Sequence, residues 1–339
     1  MKKMEPIYFY LNIKKLPKIP KTAKKGWFWY IKNEKNEFST GSYVLIVQTY
    51  INLKPYLKCE LVNHIPKKGI ILVHKDDLDF NLKPNKNQFF VSIKGDKAPH
   101  PYAQYHITQN STDKSKNGKY GYICHWPQPA LIPRNKQRKD IENIAFFGPS
   151  QNIDKLIKKN ILSNMRLKII PMEKWHDYSK VDAIIAVRKL GSKNKWNHKP
   201  ASKLINAWRA GVPAILGNES AFRSIRKNKL DYIEVNSLNE IINAINLLKH
   251  DDKLRNRMIK NGLTRAKEFI PEKITKDWIK LIKKQIFPLY LKWKKQNRLS
   301  YEIYLLKCWL RIKYELIKTK ISRKLGIYET ESRFGLFSQ

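Results

Sequence analysis

The segment 196–226 (WNHKPASKLINAWRAGVPAILGNESAFRSIR) constrains the fold of this chain more than any other. A basic loop leads into an amphipathic helix, on which Leu204 and Trp208 fall at helical spacing. Gly211 stands where a helix C-terminus needs a positive φ, and the apolar run 214–216 follows. A second helix then begins. Helix, turn, buried strand and helix in this order indicate an α/β protein, with an anion site where the second helix starts.

Short apolar runs rich in β-branched residues recur along the whole chain, as in the buried strands of a parallel sheet. In the first half they lie at 7–13, 44–47, 59–63, 70–74, 89–93 and 104–109. In the second half they lie at 144–147, 165–171, 181–189, 212–217 and 230–235. The run at 44–47 is also compatible with the start of a helix. We therefore predict an α/β fold with largely parallel sheets.

The proline- and charge-rich passage 125–142 has little strand or helix periodicity and is predicted to be a linker. A chain of 339 residues fits two domains of roughly 150 residues each. We predict an N-terminal Rossmann-like domain at 1–140, a C-terminal Rossmann-like domain at 141–288 and a basic helical tail at 289–339.

Lys and Arg total 68 against 28 Asp and Glu, which gives a net charge of +40. This charge indicates affinity for nucleic acid, an anionic lipid surface or phosphorylated substrates, or else a general compositional drift toward Lys and Asn. In the tail, Ile303, Leu306, Leu310, Tyr314, Ile317 and Ile321 recur at gaps of three and four. This stripe is expected either to pack on the protein's own N-terminal domain or to accompany binding to anionic headgroups.

The three cysteines, Cys59, Cys124 and Cys308, are odd in number and far apart, which favours a reducing cytoplasm over a disulfide framework. The start of the chain does not have the pattern of a secretory signal. No run reaches the roughly 18 apolar residues of a membrane span. We expect a cytoplasmic protein, either freely soluble or peripheral at the inner face of the membrane.

The sequence KPASKLINAWRAGVPAILGNESAFRSI resembles the donor-site segment of GT-B glycosyltransferases, which have two Rossmann-like domains and use nucleotide sugars. Upstream, HKDDLDFNLKPN, KGDKAPHPYAQYHITQN and HWPQPALIPR are similar to segments of bacterial transferases linked with surface-polysaccharide synthesis. The resemblance covers about residues 70–280. It implies a nucleotide-sugar donor as cosubstrate, a saccharide or lipid-linked acceptor, and catalysis without a metal or other cofactor.

Transfer from a nucleotide sugar requires cations or backbone N–H groups around the departing diphosphate. The candidates for this task are Arg188, Lys199 and Lys203, together with the helix N-terminus at Ser220 and Ala221. The alternative is that these cations are ordinary solvated side chains of a Lys-rich protein.

Glu219 follows the strand 214–216, where many GT-B enzymes hold the nucleotide or sugar with a carboxylate. Its alternative role is to complement the positive end of the next helix. Asn206 stands where the two-Glu pattern of retaining GT-B enzymes has a ribose-binding acid, so this sequence departs from that pattern. Gly148 would let the backbone approach a ligand, or is an ordinary turn glycine.

For acid–base chemistry the N-terminal half offers His74, which closes an apolar run and precedes Asp76 and Asp77. A histidine beside carboxylates can deprotonate an acceptor hydroxyl while an aspartate fixes its tautomer. Each of these side chains could equally be structural. The competing candidates are His100, His106 and Asp96.

No HExxH or CxxC motif is present, so we predict no metal site. Only one glycine follows the run 144–147, so the GxGxxG fingerprint is absent there. Its absence argues against a nicotinamide-dependent enzyme. Two other functions stay open. The aromatic and basic segments GWFWYIK and YLKWKKQNR are compatible with a nucleic-acid-binding protein, and a GT-B-like fold could also serve as a catalytically inactive binding protein.

Overall fold

A computed structural model describes residues 5–20, 22–33, 41–113, 119–164 and 167–324. Its first sheet is parallel throughout, with strand order β2-β1-β3-β4-β5-β6. The six strands are β1 (Ile7–Tyr10), β2 (Cys59–Val62), β3 (Gly69–His74), β4 (Gln88–Ile93), β5 (Tyr105–Thr108) and β6 (Tyr120–Tyr122).

The second sheet is also parallel, with strand order β11-β10-β9-β7-β8. Its strands are β7 (Ile144–Phe147), β8 (Leu167–Ile170), β9 (Ala183–Ala186), β10 (Ala214–Leu216) and β11 (Ile233–Glu234). In each sheet the strand that comes first in the sequence is an inner strand. The second strand in sequence pairs with one of its edges, and the later strands extend the sheet from its other edge. Such doubly wound sheets bind ligands at the carboxyl ends of their strands, near the point of reversal.

Helices connect the strands and cover both sheets. Their bounds are α1 (Ala23–Asn33), α2 (Gln48–Leu53), α3 (Lys155–Asn164), α4 (Ser202–Ala210), α5 (Ser220–Ile225), α6 (Leu238–His250), α7 (Asp252–Ala266), α8 (Pro271–Leu281), α9 (Phe287–Lys294) and α10 (Arg298–Lys324). Wider π-helical turns at Tyr43–Val47 and Ile282–Ile286 lead into α2 and α9.

The two-sheet architecture confirms the predicted α/β fold, and most predicted runs are strands. The run at 44–47 is helical, which was the alternative interpretation, and β6 was missed because its sequence, YGY, is not an apolar run. Gly211 ends α4 with φ 67°, as predicted for its C-terminus. Of the predicted strand at 165–171, residues 165 and 166 lie outside the described residues.

The chain returns to the first domain before residue 288, which we predicted as the end of the second domain. Ile274, Trp278, Ile282 and Tyr290 are buried in the same core as the first sheet. The second sheet has its own core, which includes Trp208. The chain therefore crosses back at about Pro271, because α8 and α9 bury their apolar faces against the first domain.

The described part of the tail, α10, lies on the first domain. Tyr301 donates a hydrogen bond to the carbonyl oxygen of Pro84, and the Tyr304 hydroxyl donates to Tyr102 O at 2.6 Å. The Cys308 thiol lies 3.1 Å from Pro101 O. These contacts agree with the prediction that the tail packs back on the N-terminal domain; residues 325–339 lie outside the described residues.

Candidate active site

A cavity of about 430 Å³ lies between the two sheets, at the carboxyl ends of their strands. From the first domain it is lined by His74 at the end of β3, Asp96 after β4 and Gln109 after β5. From the second domain it is lined by Gly148 after β7 and by the start of α4. The position is the one at which doubly wound sheets bind ligands, and both domains contribute to it.

The first turn of α4 faces this cavity, through Pro200, Ser202 and Lys203. The first N–H groups of a helix have no partner within the helix, and they carry the positive end of the helix dipole. Asn206, one turn later, also lines the cavity, and its side-chain oxygen accepts a hydrogen bond from Gln128 N at 3.1 Å. The start of α4 is therefore suited to an anion.

Lys203 gives this end of the cavity a positive charge. Its ammonium lies 5.7 Å from the centre of the Phe146 ring, and it forms no salt bridge with any described residue. Burial, together with the neighbouring Arg188 cation, lowers the pKa of Lys203 to about 8. A partly desolvated cation beside a helix N-terminus favours a bound anion.

Two buried amide side chains face the cavity without partners. Gln48 is fully buried, and neither its amide oxygen nor its amide nitrogen has a hydrogen-bond partner among the described residues. The amide oxygen of Gln109, which is 5% exposed, is in the same situation. Unpartnered buried polar groups cost on the order of 1–3 kcal/mol each. Both side chains are therefore positioned to hydrogen-bond a polar ligand.

His125 lines the cavity and is fixed in one tautomer. Its Nδ1 lies 2.7 Å from the carbonyl oxygen of Trp126, which can only accept, so Nδ1 carries the proton. Burial lowers the pKa of His125, which keeps the ring neutral. Its Nε2 is then an unprotonated nitrogen that can take a proton.

His74, the predicted base, does line the cavity, and burial lowers its pKa. Its Nδ1 accepts from the backbone N–H of Asp76 at 3.4 Å, which leaves the ring proton on Nε2. Nε2 points toward Gly41 and Gly95, since a Cβ on either glycine would meet it first. In this tautomer His74 can donate a hydrogen bond from Nε2, and neither ring nitrogen is free to accept a proton.

The aspartates predicted beside His74 do not line the cavity. Asp77 accepts a hydrogen bond from the Ser42 hydroxyl at 3.1 Å, and burial raises its pKa to about 6. Asp76 is 40% exposed and pairs with Lys75 and Lys97. Asp77 therefore lies behind His74 and takes the hydrogen bond of the Ser42 hydroxyl, whose oxygen lies 3.4 Å from His74 Nδ1.

His100 lies away from the cavity, contrary to its predicted catalytic role. It is fully buried, its ring stacks on Phe80 at 4.6 Å, and its Nδ1 accepts from Tyr102 N. Burial lowers its pKa to about 3, so it stays neutral. His100 lies in the loop between β4 and β5, which packs beneath α10 and away from the cavity.

The predicted donor residues after β9 and β10 form a layer behind the cavity wall. Arg188 and Glu219 pair at 3.2 Å, and Arg188 also lies 5.8 Å from the centre of the Trp196 ring. The N–H of Ser220 donates to Lys195 O, and Ala221 is buried. The backbone N–H of Ser220, predicted to hold an anion, is therefore already bonded, whereas the start of α4 lines the cavity.

Lys199 is held by the first domain. Its ammonium lies 2.7 Å from the Asp96 carboxylate, and its carbonyl accepts from the Asn110 amide at 3.1 Å. The same amide donates to the Ser220 hydroxyl at 3.0 Å, which also receives a hydrogen bond from Thr112. These contacts connect the two domains beside the cavity.

Sequence reasoning missed several lining residues. Gln48 carried a signal, because it is a polar residue inside the apolar run VLIVQTYI. His125 and Trp126 were assigned to a linker, although that passage is ordered and lines the cavity. Trp175 and His176 gave no pattern, since they lie in a short turn between β8 and β9.

Within the described residues, no group of three or more His, Cys, Asp or Glu side chains is arranged to hold a metal ion. None of the described helices has the length and apolar character needed to cross a membrane. All three cysteines are free thiols.

Two parallel doubly wound sheets with a cavity between their carboxyl ends, and a chain that returns to the first domain, define the GT-B fold. HepE from Anabaena, solved with UDP and glucose, superposes with a TM-score of 0.51 at 10% identity, covering 82% of this chain and 99% of that one. TarM gives a TM-score of 0.46 at 13% identity, covering 70% of this chain and 58% of TarM, less than two thirds of its length. No protein-family model and no curated protein sequence matches the chain.

Proposed function

We propose that this protein is a GT-B glycosyltransferase that moves a sugar from a nucleotide-sugar donor to a saccharide or lipid-linked acceptor in glycoconjugate or surface-polysaccharide synthesis. The observation that carries the proposal is the Lys203 ammonium at the first turn of α4, which faces the interdomain cavity without a carboxylate partner among the described residues. The fold it shares with HepE, whose structure holds UDP and glucose, supports the same ligand class.

In this proposal the donor diphosphate binds at Lys203 and the first N–H groups of α4. Both stabilise the negative charge that grows as the bond between the sugar and the phosphate breaks. The nucleobase lies toward the aromatic wall that includes Phe147 and Trp175. The amides of Gln48 and Gln109 hydrogen-bond the sugar or the acceptor, which satisfies their unpartnered atoms.

The acceptor hydroxyl oxygen attacks the anomeric carbon, and its proton passes to Nε2 of His125. The bond from the anomeric carbon to the phosphate oxygen breaks, and the nucleoside diphosphate leaves with the electron pair. His74 Nε2–H donates a hydrogen bond to the sugar, and the backbone N–H of Asp76 orients the ring through Nδ1. Arg188 and Glu219 pair behind the wall as positioning residues: Glu219 favours the charged form of Lys203, and Arg188 opposes it.

The first test is a thermal-shift panel of nucleoside diphosphates and nucleotide sugars on the purified chain. A ligand that binds the folded state raises its apparent stability in proportion to RT ln(1 + [L]/Kd). We expect a shift with at least one nucleoside diphosphate, and we expect Lys203→Met to lose it while Lys195→Met keeps it. No shift across the panel would contradict the proposal.

Catalysis is tested separately by following release of the nucleoside diphosphate from the donor that binds. Release that depends on His125 supports a transferase, whereas binding without release identifies a catalytically inactive GT-B-like protein. We also propose that the reaction needs no metal. Release that stops in EDTA and returns with Mg²⁺ or Mn²⁺ would disprove that part.

A further inference from the structure

A second cavity of about 1140 Å³ lies on the first domain, between the sheet and the helices α9 and α10. It is remote in the fold from the cavity between the two sheets, with which it shares no lining residue. Its cationic lining consists of Lys119, Lys292, Lys295, Lys307 and Arg311, and Glu315 is its one acidic lining residue among the described residues.

The wall of this cavity contains three donors without partners among the described residues. The indole N–H of Trp293 and the amide nitrogens of Gln104 and Gln296 are buried and form no hydrogen bond with described residues. Buried donors next to several cations favour a ligand that carries oxygen atoms and negative charge, as a phosphate ester does.

The helix that covers this cavity has an apolar face directed away from the protein. Its exposed apolar residues range from 43% exposed for Ile303 to 68% for Leu299. They are Leu299, Ile303, Leu306, Trp309, Leu310, Tyr314, Ile317 and Ile321. Of the two alternatives predicted for this stripe, packing on the protein's own N-terminal domain is not observed: the opposite face of α10 makes the contacts to Pro84, Pro101 and Tyr102, and the stripe is exposed.

The cations of α10 border this apolar face. At about 100° per residue, all of the stripe except Trp309 falls within an arc of about 80°, Lys307 and Lys318 lie along one side, and Lys313 and Lys320 lie along the other. An apolar stripe between two rows of lysines is the pattern of a helix that lies in the surface of an anionic bilayer. The arrangement is unsuited to a buried protein contact, since the lysines would be desolvated without partners.

We propose that this face docks on an anionic membrane: the apolar stripe of α10 enters the acyl region, and the basic cavity beside it binds the phosphate of one phospholipid headgroup. Docking would hold the interdomain cavity near a lipid-linked acceptor. The proposal goes beyond the glycosyl transfer described above and does not depend on it, because vesicle binding requires no nucleotide.

The test uses the full chain and co-sedimentation with vesicles of phosphatidylcholine, with or without phosphatidylglycerol. We expect binding only when phosphatidylglycerol is present. The cavity variant Lys292→Glu/Arg311→Glu should lower the partition coefficient by well over tenfold, since each basic residue near a membrane surface contributes about fivefold. The matched control Lys229→Glu/Lys253→Glu removes the same charge from exposed positions of the second domain and should change it far less.

A second pair of variants tests the apolar face. Leu306→Ser/Leu310→Ser should lower binding by about tenfold, because these exposed side chains would no longer enter the acyl region. Brominated lipids should quench the fluorescence of Trp309 in the otherwise unchanged protein, relative to Trp309→Phe. An unchanged melting temperature shows that each variant is folded.

Four results would overturn the proposal. Equal losses in the cavity variant and in its control would mean that only the overall charge attracts the protein. If the leucine substitutions left vesicle binding unchanged, the apolar face of α10 would not be part of the membrane contact. A dimer in sedimentation equilibrium that Leu310→Ser dissociates would identify a second copy as the occupant. A thermal shift with glycerol 3-phosphate that needs Arg311, without vesicle binding, would assign the cavity to a soluble phosphate ester.

Discussion

The Asp96 carboxylate lies 2.7 Å from the Lys199 ammonium, so an ion pair joins the end of β4 in the first domain to the loop before α4 in the second. Asp96 also lines the interdomain cavity, while Lys199 is only 7% exposed. Asn110 adds two hydrogen bonds across the same junction, to Lys199 O and to the Ser220 hydroxyl. The two walls of the cavity are thus positioned by contacts between the domains.

The Asp96–Lys199 pair should contribute measurably to stability because one partner is nearly buried. In a double-mutant cycle with Asp96→Asn and Lys199→Met, followed by calorimetric unfolding, we expect a coupling free energy of about 1 kcal/mol or more. The matched pair Lys227 and Glu268, which is 63% and 36% exposed, should give a smaller coupling. Equal coupling in the two cycles would show that the junction is no stronger than a surface pair.

Because the pKa of Lys203 is lowered, we expect a rise in pH to stabilise the folded protein and to weaken ligand binding. Its folded-state pKa of about 8 lies below the ordinary value of 10.5, so unfolding takes up a proton between these two values. Below pH 8 the Lys203 cation destabilises the folded protein. This destabilisation is lost as the pH rises from about 8 to 10.5. The melting-temperature advantage of Lys203→Met over the parent should therefore shrink between pH 7 and pH 10.

Nucleoside diphosphate binding should weaken over the same pH range, because Lys203 loses the charge that holds the diphosphate. At pH 7 we expect Lys203→Met to bind roughly ten- to hundredfold more weakly, as for loss of a charge-assisted hydrogen bond. Calorimetric titration measures both effects. A parent protein whose affinity is as strong at pH 10 as at pH 7 would place the diphosphate away from Lys203.

Gly148 should be needed for the shape of the cavity. A Cβ at this position would lie 3.0 Å from Phe146 Cζ and 3.4 Å from Lys203 Cε. We expect Gly148→Ala to cost about 1–3 kcal/mol and to weaken donor binding, because the Phe146 ring in the cavity wall must move. Gly26→Ala in α1 is the control, since its Cβ meets only ordinary contacts and alanine favours a helix by about 0.5–1 kcal/mol.

The tautomer of His125 predicts which histidine accepts the proton. His125→Gln should lower the rate of nucleoside diphosphate release by about 10²- to 10⁴-fold while donor binding changes little. His74→Gln should weaken donor binding more than it lowers the rate, because His74 donates a hydrogen bond to the bound sugar. If His74→Gln lowered the rate and His125→Gln weakened donor binding, His74 would be the residue that accepts the proton.

The strands of the second domain could be predicted closely from the sequence. The run IAFF is β7 without a shift in either bound, since a fully buried parallel strand needs a continuous apolar run. Gly211 was predicted as the end of α4 from its position alone, because a left-handed residue there favours glycine. Both features depend on local chemistry, so an isolated segment is enough to reveal them.

The candidate site was predicted only in part. His74, Gly148, Lys203 and Asn206 do line the cavity, because each follows or faces the carboxyl end of a predicted strand. Arg188 satisfied the same sequence criterion, yet it is turned into a pair with Glu219. The direction of a long side chain depends on partners distant in the sequence, and no local pattern encodes it.

The sequence by itself determined the alternation of strands and helices, the two-domain architecture and the basic character of the tail, because these follow from periodicity, turn chemistry and charge along the chain. Only the tertiary structure decided that the start of α4 faces the interdomain cavity, that His125 belongs to it, and that the stripe on α10 points to solvent. Periodicity shows that a helix has an apolar face, but what that face meets depends on how the domains and the returning chain pack.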